Sequence, residues 1–116
     1  MRRAFIEMRA FTQRVDGEGR ELLFLIQSEL RVRLETAPVI PGTGGLRKLR
    51  VSDAGRRKGK RGGYRVLYLD LPEVGLTFLI SLYNKNKKED MSSDEKRVMR
   101  ELVAILKREA RSNAKN

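Results

Sequence analysis

A chain of 116 residues with a net charge of +11 and 40% hydrophobic residues has room for one domain, residues 1–116, around one modest core. Such an excess of cations favours a phosphate-rich or acidic partner, nucleic acid first and an acidic protein second. With no cysteine and no histidine, the chain lacks a disulfide framework, the usual zinc, iron–sulfur and haem ligand sets, and every catalytic triad or dyad built on those side chains.

Glu7 and Arg9 interrupt the opening segment before an apolar signal core could form, and the longest apolar run, residues 22–26, is too short to span a bilayer. The expectation is a soluble, unexported protein with no membrane partner; the lack of cysteine fits a reducing cytoplasm. Residues 4–8 suit a strand. Phe11 and Val15, four apart, suggest a brief helix ending near Gly17 and Gly19. Over residues 18–35, Leu22, Leu23, Ile26, Leu30 and Leu34 recur at helical spacing with Glu21, Glu29, Arg31 and Arg33 largely opposite, the pattern of an amphipathic helix. Pro38, Pro41, Gly42, Gly44 and Gly45 then break regular structure. Pro41-Gly42-Thr43-Gly44-Gly45 resembles a phosphate cradle only superficially. It lacks the Gly-Lys-Ser/Thr ending and precedes a strand, so a turn is expected.

Residues 46–51 suit a strand, and residues 52–63 an exposed basic loop. Residues 64–71 and 76–83 are dense in β-branched, aromatic and leucine side chains, and Pro72-Glu73-Val74-Gly75 connects them as a hairpin. These two are expected to be central strands buried on both faces. Ser92-Ser93-Asp94-Glu95 is a capping box, and Val98, Met99, Leu102, Ile105 and Leu106 supply the apolar stripe of a last helix to about Arg111. Residues 112–116 are polar, a frayed tail. The order β-α-α-β-β-β-α implies a small α+β domain, an antiparallel-rich sheet with its helices packed on one face and the opposite face left to a ligand.

Three basic clusters flank the apolar strands: Arg47, Lys48 and Arg50; Arg56, Arg57, Lys58, Lys60 and Arg61; and Lys85, Lys87 and Lys88. Any catalysis here must use lysine, arginine, tyrosine or carboxylates. Cleavage of RNA is compatible with that limit, because the 2′-hydroxyl is a built-in nucleophile and the protein has to align it, stabilise charge on the phosphate and move protons. Arg47, Arg50, Arg61 and Arg65 are candidates for the phosphate through the fixed fork of guanidinium donors; Lys48, Lys60, Lys85 and Lys87 are candidate cations or proton carriers. Arg65 is the sharpest of these, since it sits inside an apolar strand where an idle charge would be costly. Tyr83 could stack on a base or act as an acid. Tyr64 and Tyr68 are expected to pack. Glu89, Asp90, Asp94 and Glu95 are explained by a helix N-terminus and are assigned no metal.

The whole chain resembles the RelE/ParE superfamily of bacterial type II toxins, in particular its RelE-like, HigB-type branch. The likeness is carried by Phe5-Ile6-Glu7; by the stretch from Val39-Ile40-Pro41-Gly42-Thr43-Gly44-Gly45 through Leu46-Arg47-Lys48-Leu49-Arg50; by Gly59-Lys60-Arg61-Gly62-Gly63-Tyr64-Arg65-Val66-Leu67-Tyr68; and by Leu82-Tyr83-Asn84-Lys85-Asn86-Lys87-Lys88-Glu89-Asp90 before a helix. The resemblance implies a compact RelE-like fold and an endoribonuclease that cuts mRNA in the ribosomal A site by metal-independent attack of the 2′-hydroxyl, with no cofactor. It also implies a partner antitoxin, short and acidic or of helix-turn-helix type. On it, Arg65 corresponds to the arginine that meets the scissile phosphate, Lys48 and Arg50 to the basic second strand, and Lys85 and Lys87 to the basic segment after the fourth. Some relatives place a tyrosine or histidine where Asp90-Met91-Ser92 stands, so on the resemblance either Tyr83 or a lysine substitutes as proton carrier or the activity is weak. ParE-type relatives act on DNA gyrase instead, and fold alone does not separate the two.

Overall fold

Strand β1, Ala4–Glu7, leads directly into helix α1, Arg9–Glu18, which packs the side chains of Phe11 and Val15 into the core. Gly19 adopts φ 111°, a conformation costly for any residue with a Cβ, and so divides α1 from helix α2, Arg20–Arg33, without an intervening loop. The expected start at Glu18 is displaced to Arg20 for this reason. Leu22, Ile26 and Leu30 of α2 are buried, as their spacing requires. Strands β2 (Arg47–Val51), β3 (Tyr64–Leu71) and β4 (Leu76–Asn84) follow, then helix α3 (Ser93–Ala114). The computed structural model describes residues 3–52, 63–84 and 91–114. Within them the chain is a compact α+β domain with three helices and one four-stranded sheet.

The sheet runs β1-β4-β3-β2, with β2–β3 and β3–β4 antiparallel and β1–β4 parallel. It is therefore mixed: β1 enters alongside β4 because two helices intervene before β2, and a tight hairpin cannot reverse it. Pro72, Glu73 and Val74 form a single 3-10 turn between β3 and β4. Leu67 pairs with Ser81 and Tyr68 with Leu79, so β4 carries one extra residue, Ile80, as a bulge.

The helices do not share one face. Leu49, Val51, Tyr64, Val66, Tyr68, Leu79 and Leu82 meet α1 and α2 on one side of the sheet. Leu67, Leu69, Leu71, Phe78 and Ile80 point to the other, where Val103 and Ala110 of α3 cover them together with Met99, Leu102 and Leu106. The cause is in the strands: β3 is apolar at both parities, so the second face needs a cover of its own. That overturns the expectation of a sheet face left wholly open for a ligand. α3 also runs on through Ser112 and Asn113 to Ala114, three residues beyond the expected end.

Two local devices hold the connections. Thr43, fully buried, donates its hydroxyl to the carbonyl of Ile40 (2.7 Å) and accepts from the amide of Leu46 (3.1 Å), so the glycine-rich segment is the turn its sequence suggested. Arg100 and Lys107 of α3 donate to the carbonyls of Gly42 and Gly44. At the start of α3, the amide of Glu95 donates to the Ser92 hydroxyl (3.1 Å), and the Ser92 amide donates to the Glu95 carboxylate (2.8 Å), the reciprocal bonds of a capping box.

Candidate nucleic-acid interface

Cross-strand partners in a sheet share a face, so pairing register decides which basic residues meet. Arg50 of β2 lies opposite Arg65 of β3, and Arg65 lies opposite Tyr83 of β4. One row therefore carries Arg50, Arg65 and Tyr83 across three strands. The next row on the same face places Lys48 opposite Leu67. This is the face that α3 covers further along, and Tyr83 packs its ring against the same cluster as Leu67 and Ile80.

The row is electrostatically unusual. Like charges directly opposite one another on neighbouring strands repel, and the cost is normally relieved by a carboxylate. Among the described residues neither Arg50 nor Arg65 forms an ion pair with one. Arg65 is only 8% exposed, so its guanidinium has little water to substitute for a counter-ion, whereas Arg50 is exposed. Two arginine forks and a phenol on one face, with a lysine one rung away, suit a phosphate.

Gly63 aims the row. Its φ is +84°, and a Cβ there would stand 2.9 Å from the carbonyl oxygen of Val51, so the chain can enter β3 beside the end of β2 only with glycine. Tyr64, the next residue, donates its hydroxyl to Glu18 of α1 on the opposite face (2.9 Å), which leaves Arg65 directed to the α3 side.

Arg47 does not join this group. It is paired with Tyr68, on the α2 side of the sheet, and its guanidinium donates to the carbonyl of Ala37. It thereby anchors the segment leaving α2. Tyr68 does related work: its hydroxyl donates to the carbonyl of Leu34 (2.8 Å), and burial pushes its pKa up to about 12, with opposing contributions from Arg47 and Arg33. Tyr64 and Tyr68 are thus core residues, as expected of them.

Arg56, Arg57, Lys58, Lys60, Arg61, Lys85, Lys87 and Lys88, together with Glu89 and Asp90, lie outside the described residues. Of the remaining acids near the last helix, Asp94 pairs with Arg97 and Glu95 completes the cap.

At the far end of β3, Asp70 accepts two bonds from Arg3 (2.7 and 3.0 Å) and one from the Thr77 hydroxyl (2.7 Å), while Arg3 also reaches Glu35. The Arg3 and Asp70 side chains are 3% and 4% exposed. No sequence feature singled out this pair, whose members are 67 residues apart. The signal, in retrospect, was an aspartate inside an otherwise apolar strand, the same oddity that marked Arg65.

A surface cavity of about 500 Å³ opens between Lys48 and Tyr83 and the first turn of α3. No helix among the described residues is long and apolar enough to cross a membrane. No protein-family model matches the chain.

Proposed function

We propose that this protein is the toxin of a bacterial type II toxin–antitoxin pair, a RelE-like, HigB-type endoribonuclease that cuts mRNA in the ribosomal A site and so stops translation in the cytoplasm. The observation that carries the reading is the cross-strand row Arg50–Arg65–Tyr83, two facing cations and a phenol with Lys48 on the next rung. The likeness of the sequence to RelE-like toxins and the net charge of +11 support it.

In this reading the 2′-oxygen of one nucleotide attacks the adjacent phosphorus, the bond from phosphorus to the 5′-oxygen breaks, and a 2′,3′-cyclic phosphate is left on the upstream fragment. Arg65 and Arg50 hold the non-bridging oxygens and take up the negative charge that grows on them. The 2′-hydroxyl loses its proton and the departing 5′-oxygen gains one; Tyr83 and Lys48 are the protic groups on this face for those transfers. No metal or cofactor is invoked. A strongly basic toxin of this kind is neutralised by an antitoxin that offers carboxylates to the same row.

The test is primer extension on an mRNA in programmed ribosomes, with wild-type protein, Arg65→Ala and a ribosome-free control. Cuts at A-site codons that need both the ribosome and Arg65 are expected. Wild-type cutting by Arg65→Ala would sink the assignment, and no cutting at all would favour a gyrase-directed or purely nucleic-acid-binding protein, seen as salt-dependent affinity without scission.

A further inference from the structure

Strand β1 lies at the edge of the sheet and is exposed along its length, with Phe5 at 45% and Ile6 at 38%. Edge strands are commonly blunted by lysine, proline or a bulge, and Ala4–Glu7 has none of these; its one charge is Glu7 at the end. The other edge differs. Along β2 the Lys48 amide donates to the carbonyl of Pro38 (3.0 Å) and Val39 bridges Arg47, so the segment leaving α2 covers part of that edge. The β1 ladder also decides which of its backbone groups face outward. The amides of Ala4 and Met8 donate to the carbonyls of Gly75 and Leu79 (2.8 and 2.9 Å), and in a parallel pair alternate residues bond the same neighbour. Phe5 and Glu7 therefore direct their N–H and C=O groups away from β4.

We infer that β1 is a dimerisation edge, which pairs antiparallel with β1 of a second copy of this chain in the register that sets Phe5 opposite the partner's Phe5. The occupant follows from the edge itself: Arg3-Ala4-Phe5-Ile6-Glu7 is complementary to its own reverse. In this register the two Phe5 residues form a hydrogen-bonded pair through their outward backbone groups. The small Ala4 lies opposite the larger Ile6 of the partner at the closer, non-hydrogen-bonded spacing, and Glu7 lies opposite the partner's Arg3. Registers centred on Arg3 or Glu7 would oppose two arginines or two glutamates, and those centred on Ala4 or Ile6 would set Phe5 against one of these charges. Arg3 is engaged with Asp70 and Glu35 in its own chain, so charge selects the register, while apolar contact and backbone bonds supply the affinity. A two-fold axis through this pair stands perpendicular to the sheet. The two four-stranded sheets then join into one, with both copies of the Arg50–Arg65–Tyr83 row on the same face. The inference is independent of the nuclease reading.

The experiment is sedimentation velocity of the full chain from about 5 µM to about 500 µM at low and high salt, because so short a strand makes a small interface and a weak dimer. Wild type is expected to move from the monomer mass of 13.4 kDa towards twice that value, and more readily at high salt, since two chains of net charge +11 repel. Phe5→Pro removes an amide that β1 does not use within its own sheet, and is expected to stay monomeric with the circular dichroism of wild type. The chain has no cysteine, so Phe5→Cys reports the register directly. Facing Cα atoms about 5.5 Å apart suit a disulfide, whereas those of Glu7→Cys would stand about 14 Å apart. Mild oxidation should cross-link Phe5→Cys about tenfold faster than Glu7→Cys or Val32→Cys, although Val32 is 77% exposed. A wild-type monomer at the highest concentration in high salt would assign the edge to a different chain and overturn the inference. A dimer that Phe5→Pro leaves intact, or cross-linking of Glu7→Cys or Val32→Cys as fast as that of Phe5→Cys, would overturn it as well.

Discussion

Arg50 and Arg65 face each other across the β2–β3 ladder, two cations on one side of the sheet where a stable fold alone would place a cation opposite an anion. Among the described residues no carboxylate pairs with either of them. On the proposed function, this is where the anionic backbone of the RNA is held.

Replacing Arg50 with glutamate is therefore expected to separate stability from function. Arg50→Glu converts repulsion to attraction and should stabilise the fold by about 0.5–1 kcal/mol in urea melts. On the proposed function, RNA cleavage should fall below detection in the same preparation, because an anion would then occupy the proposed phosphate position. A variant that is both less stable and fully active would contradict the assigned pairing.

Gly63→Ala should cost about 1–3 kcal/mol, since the added methyl group would meet the Val51 carbonyl oxygen at 2.9 Å and the backbone would have to leave its positive φ. Thermal unfolding measures the loss. If the protein is the proposed nuclease, cleavage should decline further than stability does, as Arg65 is two residues away and follows any shift of the strand entry.

Asp70→Ala leaves Arg3 buried without its principal partner and should cost about 3–5 kcal/mol. The paired change Arg3→Met with Asp70→Leu removes both charges and should recover most of that loss. Because Asp70 lies at the opposite end of β3 from Arg65, the double variant should retain the proposed cleavage at the wild-type level below its melting temperature. Loss of cleavage with intact folding would show that the two ends of the strand are coupled.

Tyr68 makes stability fall at high pH. Its folded pKa is raised to about 12 from an ordinary value of 10.0, chiefly by burial, so the neutral phenol is the form the fold favours. The stabilisation is complete below pH 10, and it is lost as the pH rises through 10 towards 12. Tyr68→Phe loses the bond to Leu34 at every pH but should show a shallower decline above pH 10 in a series of urea melts. Parallel curves for the two proteins would contradict this.

Much of this fold could be anticipated from local pattern. Leu22, Ile26 and Leu30 repeat at the helical period and are buried; Ser92 and Glu95 stand at capping distance and bond reciprocally. Arg65 attracted attention because it interrupts an apolar strand, and it is buried. What escaped depends on tertiary placement. Adjacent residues of a strand point to opposite faces, but alternation does not say which face is which, so Arg47 and Lys48 looked equivalent and are not. The cover of the second face by α3 follows from burial of β3 at both parities, whereas helices on one face alone would leave Leu67, Leu69 and Leu71 bare. The Arg3–Asp70 pair and the approach of Lys96 to Gly42 join distant segments, and no window on the sequence contains both partners.

The extra residue at Ile80 makes β4 two strands in sequence rather than one. Before it, Leu76 and Phe78 belong to the α3 side; beyond it the parity is inverted, and Tyr83 comes round to that same side. A strictly alternating strand with Phe78 in place would have turned Tyr83 towards α2 and broken the row with Arg65. Chain length within this strand is thus as much a determinant of the site as residue identity. Deleting one residue there would reverse the aim of the tyrosine while leaving every chemical group of the site in the sequence.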